Sequence, residues 1–199
     1  MAIPTADQKL EMIRLAEPTE DELRAVDSLA PGDYEIGFQR TNDILDEALE
    51  VFQRSSRSSM GIAGDVMIAL FSADGDLVNA AAGTYLHAII QPILIKYILG
   101  HYSENPGIED GDIWFANDAL YGGIHNPDQV IVLPIFHDGE LIAWAGAANH
   151  TTETGAVEPG GMPVSATTRF HEGLNLPPIK IGVPPAAIVP MTDFPPSII

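Results

Sequence analysis

The chain contains no cysteine, which excludes a disulfide framework and any thiolate-ligated zinc or iron–sulfur centre built by these 199 residues. Basic residues are scarce. Nine Lys and Arg stand against 28 Asp and Glu, giving a formal net charge of −19 and a pI near 4.3. A surface of that sign repels a phosphate backbone, so nucleic acid is not an expected partner. The longest apolar run, Ala88 to Leu99, is interrupted by Gln91, Pro92 and Lys96. It falls well short of the ~20 apolar residues of a bilayer span, so no membrane partner is expected. Met1 to Lys9 lacks the basic-then-apolar order of an export signal, and a cytoplasmic location is the default expectation. There is no Gly-rich phosphate loop ending in Lys, so ATP is expected to bind on another chain, and no Gly-x-Ser-x-Gly elbow.

Hydrophobic residues make up 46% and charged residues 19%, the balance of a folded chain of one domain or a compact pair. Thr19 and Glu22 after Pro18 form a capping box that opens a helix running to about Ala30, where Pro31-Gly32 stops it. Ile36, Arg40, Ile44, Leu45, Ala48, Leu49 and Phe52 repeat at helical spacing between Tyr34 and Arg54. Val66 to Phe71 and Leu77 to Ala81 read as strands joined by the turn Ala73-Asp74-Gly75-Asp76. Tyr85 to His101 reads as a helix that is apolar nearly all round and therefore buried, with Pro92 kinking it or starting it. Ile113 to Ala116 is a strand, followed by a polar, Gly-rich loop from Asn117 to Asp128. Val130 to Phe136 and Leu141 to Ala148 form a second hairpin about His137-Asp138-Gly139-Glu140. Thr151 to Phe170 is long and irregular, as functional loops often are. The expected class is α+β: N-terminal helices, then antiparallel β-hairpins packed with a buried helix. Residues 1–60 are read as a helical segment, 61–182 as the core and 183–199 as an extended or disordered Pro-rich tail.

His125, Asp128 and His150 carry the sharpest chemistry. His125 and Asp128 precede the first strand of the second hairpin and His150 ends its second strand. A hairpin brings its outer ends together, so the three side chains are expected at one end of one sheet. Two imidazoles and a carboxylate suit a divalent transition metal with positions left open for water or substrate. The plain alternative is a pair of surface histidines near an unrelated aspartate.

Several motifs occur in a fixed order: Gly111-Asp112-Ile113-Trp114-Phe115-Ala116-Asn117-Asp118, Gly122-Gly123-Ile124-His125-Asn126-Pro127-Asp128, Asn149-His150, Pro159-Gly160-Gly161-Met162-Pro163 and Glu172-Gly173-Leu174. This ordered set resembles the hydantoinase B family, over about Ala69 to Ile181. The family includes N-methylhydantoinase and oxoprolinase subunits and the large subunits of acetone and acetophenone carboxylases. The resemblance implies a cytoplasmic, heteromeric, ATP-dependent enzyme whose hydantoinase A-like partner binds ATP. It also implies a metal, manganese before zinc or iron, held by His125, Asp128 and His150 and completed by an upstream acid, for which Asp65 is the nearest candidate. Asn117-Asp118-Ala119-Leu120 departs from the family's Asn-Asp-Pro-Tyr. Family members are several times longer, so the chain is expected to be a split or shortened subunit, inactive alone.

Three functions follow as expectations. The first is a ketone carboxylase subunit that joins a small ketone to bicarbonate and yields a 3-oxo acid, favoured because His150 to Gly155 resembles the carboxylases. The second is ATP-dependent opening of a hydantoin or 5-oxoproline ring. The third is a non-catalytic assembly subunit. Among lesser candidates, Asp118 is read as an imidazole partner or a turn residue, and Glu153 and Glu158 as site or solvated carboxylates. Glu172 is read as a loop clamp or site residue, His87 and His101 as packing or capping residues, and Gly160-Gly161 as a turn or anion nest.

Overall fold

The computed structural model describes residues 3–182. The expected tail at 183–199 lies outside the described residues. Five α-helices precede or interleave with six strands among those residues: α1 (Ala6–Met12), α2 (Glu20–Asp27), α3 (Asp33–Ser55), α4 (Ser59–Ile62) and α5 (Leu86–Tyr102), with β1 (Val66–Ser72), β2 (Leu77–Ala82), β3 (Trp114–Ala116), β4 (Asp128–His137), β5 (Glu140–His150) and β6 (Ile179–Lys180). The strands form one sheet in the order β2-β1-β5-β4-β3-β6, every pairing antiparallel. The α+β class and both expected hairpins are observed.

Local chemistry explains the hairpins. At the β4–β5 turn, Asp138 and Gly139 take φ of 50° and 84°. Positive φ at both central residues matches the right-handed twist of the flanking strands, and Asp-Gly is the pair that adopts it. What joins the two hairpins is β1 pairing with β5, in register from Val66 opposite Asn149 to Ser72 opposite Ala143.

The core lies between this sheet and α5. Met67, Ala69 and Phe71 of β1, Val130 and Val132 of β4, and Trp144 and Ala148 of β5 face Leu94, Ile95, Tyr97 and Ile98 of the helix. Burying a side chain of Leu or Phe size stabilises by roughly 1.5–3 kcal/mol, so this layer dominates the fold. The helix continues through Pro92 without the restart considered from the sequence. Its buried face sits on the sheet, and that packing offsets the missing backbone donor.

The helix α3 meets β1 and β2 only with its C-terminal part. Leu45 is buried, whereas Ile36 and Ile44, expected on the packed face, are 55% and 66% exposed. Every residue from Asp33 to Arg40 is exposed, and Ile44 lines an open groove beside Ile68 of β1, so much of the amphipathic stripe is uncovered among the described residues. Three elements were not expected: α1, β6 and the short α4, whose Ser58 cap accepts from the Gly61 amide. α1 is opened by a Thr5–Gln8 capping box, a readable signal, and β6 is held by pairing with β3.

Candidate metal centre

Asp128 is the first residue of β4 and His150 the last of β5, and their backbones are register partners. His125 is brought onto the same sheet end by a tight turn. The Asp128 amide donates to the His125 carbonyl at 3.0 Å, and the His125 amide donates to Asp128 Oδ2 at 3.2 Å. That second bond commits one carboxylate oxygen and leaves Oδ1 facing the imidazoles. His125 Nε2 then lies 3.1 Å from His150 Nδ1 and 3.5 Å from Asp128 Oδ1, and His150 Nδ1 lies 3.1 Å from Asp128 Oδ1.

Asp65 joins from the neighbouring strand. It immediately precedes β1, its carbonyl accepts from the His150 amide at 3.0 Å, and its Oδ2 lies 3.5 Å from His150 Nδ1. The Ser58 hydroxyl holds the His150 carbonyl at 2.6 Å. The structure thus brings His125, Asp128 and His150 together, their donor atoms all within 4.8 Å of one another, and sets Asp65 beside His150. Asp128 is fully buried, His150 nearly so, and His125 and Asp65 are partly open to solvent.

This arrangement overcommits one nitrogen. His150 Nδ1 has three acceptor-bearing neighbours within 3.5 Å but can offer only one proton. Lone pairs converging on a common point are the arrangement a cation resolves. With donor–ion bonds of about 2.0–2.2 Å, adjacent donors in a tetrahedral or octahedral sphere lie roughly 2.9–3.6 Å apart. The 3.1–3.5 Å spacings among these donors fall inside that range. Two nitrogens and one carboxylate oxygen, with Asp65 as a further acid beside His150, suit a borderline or hard divalent ion. Burial pushes the Asp65 carboxyl up, but hydrogen bonds from Thr84 and His87 and the charges of His87 and His150 outweigh it. The net result lies below the usual carboxylate range, so Asp65 is held anionic.

His87 was expected to pack or cap, yet it stands beside the cluster. It projects from α5, is 2% exposed, and places Nε2 3.1 Å from Asp65 Oδ1. The signal was a histidine in a largely apolar helix, since a buried polar ring needs a partner. His101 does what was expected: it stacks on Tyr97 and bonds the Tyr97 carbonyl at 3.0 Å.

A second missed residue is Asn117. Fully buried, it donates to the carbonyls of Asn126 and Leu174 at 2.8 and 2.7 Å and accepts from the Leu176 amide at 2.8 Å. It stitches the His125 loop to the segment crossing it. Glu172 contributes a loop bond, accepting from the Asn126 amide at 3.4 Å. Asp118 is a turn residue, capping Leu120 at 2.9 Å and pairing with Arg169. Glu158 accepts from the Ser165 hydroxyl. Glu153 gathers the amides of Thr154, Gly155, Ala156 and Gly160, and these bonds pull its carboxyl down to about 2. Glu153 therefore fixes the loop after His150. The anion at the Gly160 amide is this side chain.

No helix among the described residues is long and apolar enough to cross a membrane. Comparison with known proteins places residues 30–183 in a match to the hydantoinase B/oxoprolinase model. The chain is 59% identical to the acetophenone carboxylase delta subunit of Aromatoleum aromaticum over 92% of its length, and 37% identical to the acetone carboxylase alpha subunit of Xanthobacter autotrophicus over 60%. It spans 26% and 16% of those relatives, so it corresponds to a minor part of each. Among solved structures, the nucleotide-free acetone carboxylase superposes with a TM-score of 0.71 at 32% identity, covering 75% of this chain and 20% of that one. The ATP-dependent caprolactamase of Pseudomonas jessenii gives 0.67 at 26% identity, covering 78% and 27%. The ordered motifs, the sheet and these matches agree: the chain belongs to the hydantoinase B/oxoprolinase family.

Proposed function

We propose that this chain is the metal-holding module of an ATP-dependent ketone carboxylase subunit, converting a small ketone and bicarbonate to a 3-oxo acid within a heteromeric complex. The observation that carries this reading is the convergence of His125, Asp128 and His150 at adjoining strand ends with coordination-like spacing, with Asp65 3.5 Å from His150. The 59% identity to an acetophenone carboxylase subunit supports the carboxylase reading over ring opening.

In this reading the four residues hold a divalent ion, manganese before zinc or iron. A cation there supplies fixed positive charge to a substrate oxygen that becomes anionic. The protein's own contribution is geometric. The Asp128 turn aims His125, the β4–β5 register aims His150, and the β1–β5 pairing delivers Asp65. The partly open sides of His125 and Asp65 leave an approach from solvent, where a ketone enters. ATP binds on a hydantoinase A-like partner, and its hydrolysis activates the ketone or the bicarbonate. A cytoplasmic setting suits such a complex.

The family also opens cyclic amides, as the caprolactamase neighbour's name records. The assay that separates the reactions is ATP hydrolysis by the assembled complex with acetone or acetophenone plus bicarbonate, against caprolactam, 5-oxoproline and hydantoin. Bicarbonate-dependent turnover with a ketone is expected. Turnover with cyclic amides alone would move the chain to ring opening. A complex that needs this chain only to assemble, and is indifferent to His125→Ala, would make it a scaffold.

A further inference from the structure

His87 makes a single hydrogen bond, although burying an imbalanced polar ring is unfavourable. Its Nε2 meets Asp65 Oδ1 at 3.1 Å, while its Nδ1 has no hydrogen-bond partner among the described residues and lies 3.9 Å from Asp128 Oδ2. A phenylalanine or leucine would fill the same place under the sheet without orphaning a nitrogen. The ring is therefore poorly explained as core packing.

The carboxylates it faces are arranged in one sense. Asp65 turns Oδ2 toward His150 and Oδ1 toward His87. Asp128 turns Oδ1 toward His150 and His125, and Oδ2 toward the His125 amide and, at longer range, His87. His87 thus stands behind both acids, on the side away from the paired imidazoles. The two acids differ in what else holds them. Asp128 is buried and fixed by its own turn, whereas Asp65 retains 25% of its side-chain exposure and lies in a short connection before β1. His87 Nε2, 3.1 Å from Oδ1, holds the edge of its carboxylate that His150 does not meet.

We propose that His87 is a positioning residue that presents Asp65 to the metal, so that the buried helix α5 sets the affinity of a site otherwise built at strand ends. This rests on the metal reading above. It assigns α5 a role beyond the core: a rigid helix locks the rotamer of a flexible acid, and losing such an orienting partner typically weakens metal binding 10- to 100-fold.

The test is Mn²⁺ binding to the full chain, titrated against the electron paramagnetic resonance signal of the free ion. Wild type, His87→Phe, His87→Gln, Asp65→Ala and His125→Ala are compared, with metal-free thermal midpoints recorded for each. His87→Phe should bind about 10- to 100-fold more weakly. His87→Gln, whose amide can still donate to Asp65, should recover most of that loss. In the Asp65→Ala background His87→Phe should add nothing, because the effect passes through Asp65. The metal-free midpoint of His87→Phe should not fall. Binding by His87→Phe equal to wild type, with His125→Ala defective, would overturn this proposal and leave the metal site standing. Equal losses in His87→Phe and His87→Gln, with lowered metal-free midpoints, would make His87 a structural residue and also overturn it. A wild-type chain that binds no Mn²⁺ would refute the metal reading and this inference together.

Discussion

Replacing Asn117 tests whether the His125 loop is held by a single buried amide. Its three bonds join Asn126, Leu174 and Leu176. In Asn117→Ala the Asn126 carbonyl keeps a bond from Gln129 at 3.3 Å, but the Leu174 carbonyl and the Leu176 amide lose this partner. Both bonds are only part-buried, so each one lost should cost about 0.5–1.5 kcal/mol, and the variant should lose roughly 1–3 kcal/mol. That is a large share of the ~5–15 kcal/mol typical of a domain. Asn117→Asp is the sharper probe. It keeps the acceptor for Leu176 but sets a carboxylate oxygen against two carbonyls, so it should be no more stable than the alanine variant. Urea unfolding followed by circular dichroism gives the stabilities, and amide exchange at the Asn126 to Asp128 turn reports the loop. An Asn117→Asp protein as stable as wild type, with that turn equally protected, would refute the clasp.

Glu153 gives a pH prediction. Its carboxyl is depressed from about 4.5 to about 2, so its contribution is fully present above pH 4.5 and is lost as the pH falls toward 2. The amides of Gly155 and Ala156 should stay protected from exchange at pH 4 and open near pH 2, whereas in Glu153→Ala they should already exchange freely at pH 4. Trp144, fully buried with its ring nitrogen bonded to the Ala73 carbonyl at 3.1 Å, should cost about 3–5 kcal/mol on replacement by alanine in urea unfolding. Gly146→Ala would set a methyl 2.2 Å from Gln91 Oε1 and 2.6 Å from the Phe71 ring, both from the helix-covered layer. It should lower stability by about 1–3 kcal/mol, and an unchanged midpoint would mean that α5 does not pack that closely.

What the sequence made legible follows the range of the interactions. Both hairpins rest on local turn chemistry between short apolar runs, and the meeting of Asp128 with His150 follows from hairpin geometry alone. Asp65 reached the cluster through β1 pairing with β5, a contact between residues some eighty positions apart that no local pattern specifies. His87 was hidden for the same reason: its place in an apolar helix said that it was buried but not which acid it would meet. Asn117 was visible only as part of a motif, because its partners at Leu174 and Leu176 come from a segment without regular structure. The helix α3 shows the opposite error. Its periodicity is real, but Ile36, Ile44 and Val51 stay exposed, because periodicity says which face is apolar and not how much of it another element covers.

The most direct measurement is elemental analysis of the purified full chain after incubation with Mn²⁺ and removal of free ion, beside His125→Ala and His150→Ala. The convergence of donors predicts about one tightly held divalent ion per wild-type chain and its loss in both variants. A wild-type protein that emerges without metal, or variants that retain as much as wild type, would contradict it.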